Sequence, residues 1–89
     1  MAMVPVSLPN VLARLFPGCA RHVEVPAATV GDVVDALEQR WPGMRDRLCD
    51  STPAIRRHIN IFVDGERATL ATRLAPGARV LVMTAISGG

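Results

Sequence analysis

Lysine is missing altogether from this chain, tyrosine too, and the aromatic residues come to a single Trp and two Phe. Without lysine, all ten basic residues are Arg, and no side-chain amine is open to acylation. The net charge is only +2, and the arginines are scattered from Arg14 to Arg79 with no aromatic residues interleaved to stack bases. That pattern excludes a nucleic-acid surface. With so few rings, the interior has to be assembled from Val, Leu, Ile and Ala, which suits a β-rich core. No run approaches the ~20 apolar residues of a membrane span, and no charged segment leads into an apolar one at the N-terminus. A soluble, cytoplasmic protein without a membrane partner is therefore expected. Cysteine is also scarce: Cys19 and Cys49 lack CxxC spacing and are expected to be reduced thiols filling small apolar sites. At 89 residues there is room for one core and little space for a large enclosed active site.

The residues present divide into short periodic segments. Val4, Val6 and Leu8 alternate with Pro5 and Ser7 as a first strand, stopped at Pro9-Asn10. A connection over residues 9 to 20 follows, in which Val11, Leu12, Leu15 and Phe16 can cover part of the core. His22 to Val25 alternates again as a second strand. Thr29 is an N-cap with Asp32 three residues on, and Val30, Val33, Val34, Leu37 and Trp41 recur at helical spacing up to Pro42-Gly43. Met44 and Leu48 suggest a short further helical piece. Ile59, Ile61 and Val63 form a third strand, and Asp64-Gly65 supplies the positive-φ pair of a type I′ hairpin. A returning strand through Arg67-Ala68-Thr69 is predicted, then a plug at Leu70 and Leu74, a reversal at Pro76-Gly77, and a last strand from Arg79 to Ile86. The expected fold class is α+β: a mixed four- to five-stranded sheet with one main helix packed across it. A ferredoxin-like βαββαβ unit is the rival, but residues 70 to 78 are too short and too rich in Pro and Gly for its second helix.

The last strand runs into Ile86-Ser87-Gly88-Gly89. With glycine at about 7% of average composition, a Gly-Gly pair at a given place arises by chance in roughly one protein in two hundred. Here it follows a core strand, so a rigid domain presents a short lever, bare of side chains, that can thread a narrow channel. In Arg57 to Glu66, in Leu74 to Val82 and in Ala85-Ile86-Ser87-Gly88-Gly89, the chain resembles the ThiS/MoaD-type sulfur carriers, ubiquitin-like proteins with the β-grasp fold. The resemblance spans essentially the whole length. It departs at Ala78, where an acidic residue is common, and at Thr84, where proline is common.

The resemblance implies a β-grasp domain over residues 1–85 and a flexible Gly-Gly tail over 86–89. It implies group transfer on the carboxylate of Gly89, which an adenylating, E1-like enzyme activates with ATP and a sulfur donor converts to a thiocarboxylate. The ATP belongs to that partner, and no cofactor is held stably by this chain. The second partner implied is a biosynthetic enzyme that accepts the sulfur. The run before the hairpin looks most like carriers for cysteine biosynthesis, then like the small subunit of molybdopterin synthase or donors for sulfur-containing secondary metabolites. The catalytic groups would belong to the partners, so the chain is not expected to be an enzyme itself. A ubiquitin-like modifier joined to target lysines through Gly89 uses the same tail, although a chain without lysine cannot polymerise through its own.

Strand alternation sends Val80 and Val82 to the core and Leu81, Met83 and Ala85 to the other face, with Phe62 on the neighbouring strand. Phe62, Leu81 and Met83, with the tail residues Ala85, Ile86, Ser87 and Gly88, are the candidate partner-binding residues. Cys19, His22, Cys49 and His58 have the ligand count of a zinc site, but only Cys19-x-x-His22 is locally spaced, so they are assigned to ordinary loop and strand positions.

Overall fold

Val4 and Val6 are buried while Met3 and Pro5 face outwards, making the first alternating run the strand β1 (Met3–Ser7). The computed structural model describes residues 2–84. After Leu8-Pro9 the chain forms α1 (Asn10–Leu15), which buries Leu12 and leaves Val11 and Leu15 exposed. A connection covering part of the core was expected here; Leu12 and Phe16 do pack on the core, but from a short helix that was not expected. Six residues are fewer than two turns, too few for helical periodicity to stand out. Strand β2 (His22–Pro26) returns antiparallel to β1, in a register running from Met3 opposite Pro26 to Ser7 opposite His22.

Thr29 starts α2 (Val30–Arg40) with a reciprocal cap. The Asp32 amide donates to Thr29 Oγ1 at 3.1 Å, and Asp32 Oδ2 accepts from the amides of Thr29 and Ala28 at 3.1 and 2.9 Å. Two more amides of this first turn are satisfied from outside the helix: Val30 N–H donates to Thr72 O and Gly31 N–H to Leu70 O. Replacing Thr29 with Ala removes the acceptor for the Asp32 amide, so Thr29→Ala is expected to lower stability by about 1 kcal/mol. Urea denaturation should show a lower midpoint with an unchanged slope, and Thr29→Ser should recover most of the loss.

The helix ends at Trp41, and Gly43, at φ +102°, turns the chain into α3 (Met44–Leu48). Glu38 spans the junction. Its carboxylate accepts the amides of Arg45 and Gly43, and these bonds, Arg45's foremost, hold its pKa below the usual carboxylate value. The short helical piece expected at Met44 and Leu48 is thus present, and both residues are fully buried.

Strand β3 (Ile59–Val63) leads into β4 (Glu66–Arg67) through Asp64 at φ +51° and Gly65 at φ +87°, the two positive-φ positions a two-residue type I′ turn requires. Val63 pairs with Glu66 and Phe62 with Arg67. The returning strand is shorter than the expected Arg67-Ala68-Thr69. One further bond, Ala68 N–H to Ile61 O at 2.8 Å, ends the ladder before a turn closes at Thr69, whose amide donates to Thr72 Oγ1. The chain leaves the sheet there because its carbonyls at 70 and 72 are taken by the start of α2. Residues 70 to 78 form no helix, so the ferredoxin-like alternative is not adopted.

Strand β5 (Val80–Thr84) completes the sheet, running parallel to β1 and antiparallel to β3. The strand order is β2-β1-β5-β3-β4, a five-stranded mixed sheet. One face carries Val4, Val6, Val25, Ile61, Val80 and Val82 into a shared core with Val30, Val33 and Leu37 of α2 and with Met44 and Leu48. Residues 85 and 86, the end of the expected last strand, lie outside the described residues, as does the rest of the tail.

Candidate functional site

The candidate partner-binding residues Phe62, Leu81 and Met83 lie on the two strands β3 and β5. In β5, Val80 and Val82 are 2% and 1% exposed, whereas Leu81 and Met83 between and beyond them are 42% and 45% exposed. Antiparallel pairing sets Phe62 directly opposite Leu81 and Asn60 opposite Met83, so Phe62 and Leu81 are cross-strand neighbours with Met83 on the diagonal. Parallel pairing with β1 brings Ser7 beside Leu81. Together these strands form an open depression: Pro5, Ser7 and His22 border it on one side, Asp64, Gly65 and Arg79 at one end, and Phe62, Leu81 and Met83 line it.

Its polar groups are mostly committed to holding the frame. Asp64 and Arg79 clamp the β3–β5 end, the Arg79 amide donating to Asp64 Oδ1 and the Asp64 amide to Arg79 O, each at 3.0 Å. Ser7 Oγ and His22 Nδ1 lie 3.2 Å apart across β1 and β2. What the depression offers a partner is chiefly apolar surface on rigid strands, which matches a protein contact better than a site for chemistry.

The structure therefore brings together Phe62, Leu81 and Met83, and residues 9 to 20 contribute nothing to that depression. Gly89 and the other tail candidates, Ala85, Ile86, Ser87 and Gly88, lie outside the described residues. Sequence reasoning missed Pro5, Ser7 and His22 as part of this surface. Their odd-numbered or strand-end positions were legible, but their neighbourhood depends on the parallel β1–β5 pairing, which joins distant segments and leaves no local signal.

The cysteine and histidine candidates do not converge. Cys49 is buried in the core and Cys19 is half-buried, both as free thiols, while His22 and His58 are exposed. Burial raises the pKa of both thiols, which keeps them protonated and poorly nucleophilic at neutral pH. Among the described residues no three His, Cys, Asp or Glu side chains gather around a common point. No described helix is long and apolar enough to cross a membrane.

A mixed sheet in this order, with one long helix across its inner face and an apolar outer face, is the ubiquitin-like β-grasp architecture. The chain belongs to the ThiS family, whose model matches residues 8–89. It is 36% identical over 92 residues to the sulfur carrier protein CysO of Mycobacterium tuberculosis, an alignment covering 97% of this chain and 98% of that protein. It is also 36% identical over 62 residues to small archaeal modifier protein 1 of Haloferax volcanii, covering 70% of this chain and 71% of that one. Among solved structures, the Amycolatopsis orientalis BexX/CysO complex contains a chain matching at a TM-score of 0.85 and 31% identity, over 97% of this chain and 99% of that one.

Proposed function

We propose that this chain is a sulfur carrier: a domain that docks through Phe62, Leu81 and Met83 on an adenylating, E1-like enzyme and presents Gly89 for activation. A carboxylate resists nucleophiles because its charge is delocalised and oxide is a very poor leaving group. A Gly89 carboxylate oxygen attacks the α-phosphorus of ATP in the partner's site, pyrophosphate leaves, and an acyl-adenylate forms. Hydrosulfide then attacks the acyl carbon and AMP departs. The product is a terminal thiocarboxylate, a proton is released, and no net oxidation occurs. The thiocarboxylate sulfur is ionised near neutral pH and nucleophilic, yet stays tethered until an accepting enzyme takes it. The adenylating and accepting enzymes provide the catalytic groups and the ATP site.

The observation that carries this reading is the family match, which runs through Ser87-Gly88-Gly89 and is accompanied by near-complete alignment with a sulfur carrier protein. The same similarity supports cysteine biosynthesis as the destination of the sulfur, ahead of molybdopterin or a sulfur-containing secondary metabolite. A second reading, a modifier conjugated to protein lysines through Gly89, is supported by the similarity to small archaeal modifier proteins 1 and 3.

Intact-mass spectrometry after incubation with ATP, a cognate adenylating enzyme and hydrosulfide tests the proposal. The expected product is the chain with one oxygen replaced by sulfur at Gly89. If neither adenylate nor thiocarboxylate forms with any of several family adenylating enzymes, the sulfur-carrier reading fails. Offering the thiocarboxylated chain to an activated serine acceptor or to a pterin precursor then separates the recipients. An isopeptide adduct on a target lysine, formed without sulfur, would favour the modifier.

A further inference from the structure

The outer face extends beyond the depression, and its β4 side carries a charge that the fold leaves uncompensated. Across the sheet, Ser7 lies beside Leu81, Leu81 opposite Phe62, and Phe62 opposite Arg67 of β4. Directly paired residues share a face, so Arg67 stands on the outer face one strand beyond Phe62. Its chain neighbour Glu66 pairs with Val63 and therefore belongs to the opposite side.

Arg67 is exposed, yet its head group is held. Its Nη2 donates to Oδ1 of Asn60, two residues before Phe62 on β3. Asn60 is opposite Met83, so the guanidinium is drawn along the face from the level of Leu81 to that of Met83. That is the end of β5 from which the sequence continues to Gly89. Asn60 is a neutral acceptor, and among the described residues no carboxylate lies within ion-pair distance of Arg67. The bond to Asn60 takes one donor of the guanidinium fork and leaves the others free. Arg79, the other arginine on this face, is placed differently: it lies at the opposite end, beside the carboxylate of Asp64 that accepts its amide.

This placement constrains what can cover Phe62, Leu81 and Met83. An apolar surface laid over all three would draw the neighbouring Arg67 out of water without a counter-charge, which is unfavourable. A carboxylate opposite Arg67 keeps the charge paired as water leaves, and matches the planar fork with two parallel hydrogen bonds. A carbonyl would only repeat what Asn60 already provides.

We propose that Arg67, positioned by Asn60, is a specificity-determining residue for adenylation of Gly89, and that it meets a carboxylate on the rim of the adenylating enzyme's apolar docking patch. This rests on the reading of the chain as a sulfur carrier. Phe62, Leu81 and Met83 supply the buried area. The Arg67 contact selects among enzymes with similar apolar patches, because one that offers no carboxylate there has to leave the arginine unpaired.

The test is ATP–pyrophosphate exchange with the cognate adenylating enzyme, the chain varied at low and high salt, with thermal unfolding of each variant. Arg67→Glu should raise KM about tenfold or more while kcat at saturating chain stays unchanged. Arg67→Leu keeps the apolar stem and loses the charge, so its KM should rise less and lose most of its salt dependence. Arg67→Lys should keep the salt dependence but recover only part of the affinity. Asn60→Ala, which frees the head group and leaves its charge, should raise KM without flattening the salt dependence. Arg47→Glu makes the same change of net charge on α3, on the helical side of the sheet, and should leave KM within about twofold. A KM for Arg67→Glu within about twofold of the unaltered chain would overturn the proposal. So would an equal rise in Arg47→Glu, which would mark net charge alone, or full salt dependence in Arg67→Leu. If Leu81→Asp impairs exchange and Arg67→Glu does not, only the Arg67 contact is lost; if the unaltered chain supports no exchange, the sulfur-carrier reading falls with it.

Discussion

Deleting Gly89, or adding one residue after it, is expected to abolish adenylation while leaving the folded domain intact. Each residue of extended chain spans up to about 3.3–3.6 Å. A reacting atom has to lie within about 3–3.5 Å of its target, and a misplacement of 1 Å already costs roughly a hundredfold. Moving the carboxylate by one residue therefore removes it from the α-phosphorus altogether. A side chain placed in the tail, as in Gly88→Val, should be less severe but still strongly inhibitory, since bulk is added where a narrow channel has to be threaded. ATP–pyrophosphate exchange with the cognate adenylating enzyme measures this directly, and thermal unfolding of each variant reports on the domain. Exchange within about threefold of the unaltered chain in both length variants would mean that the Gly-Gly end is incidental and that the domain acts through its surfaces alone.

The α2 helix was legible because Thr29, Asp32 and the Val30–Leu37 spacing agree, and the structure shows the reciprocal cap and the buried stripe they imply. The hairpin was legible from Asp64-Gly65, and the outward positions of Leu81 and Met83 from a period of two. What failed was set by tertiary pairing. The helix α1 is too brief to carry a period. Strand β4 stops early because Leu70 and Thr72 are drawn off to complete the start of α2, a competition between two distant segments that neither one records. For the same reason Pro5, Ser7 and His22 could be placed around the outer depression only when β1 was found beside β5.

Placing a carboxylate on the outer face is the second large effect expected. Leu81→Asp should raise the KM for the chain as substrate of its adenylating enzyme roughly thirty- to a thousandfold, the equivalent of about 2–4 kcal/mol at a buried interface anchor. At saturating chain, kcat should remain close to that of the unaltered protein, because Gly89 is untouched. Leu81 faces away from the core opposite Phe62, so the loss of domain stability should stay within about 1 kcal/mol, the range of strand propensity at such sites. Val82→Asp is the contrasting variant: one position along the same strand it would bury an unpaired charge and is expected to unfold the domain. The pair separates recognition from folding by strand alternation alone. Met83→Asp should behave as Leu81→Asp does, and the two together should cost less than their sum if both residues fill one contact. An unchanged KM in both single variants would move the docking surface away from this face.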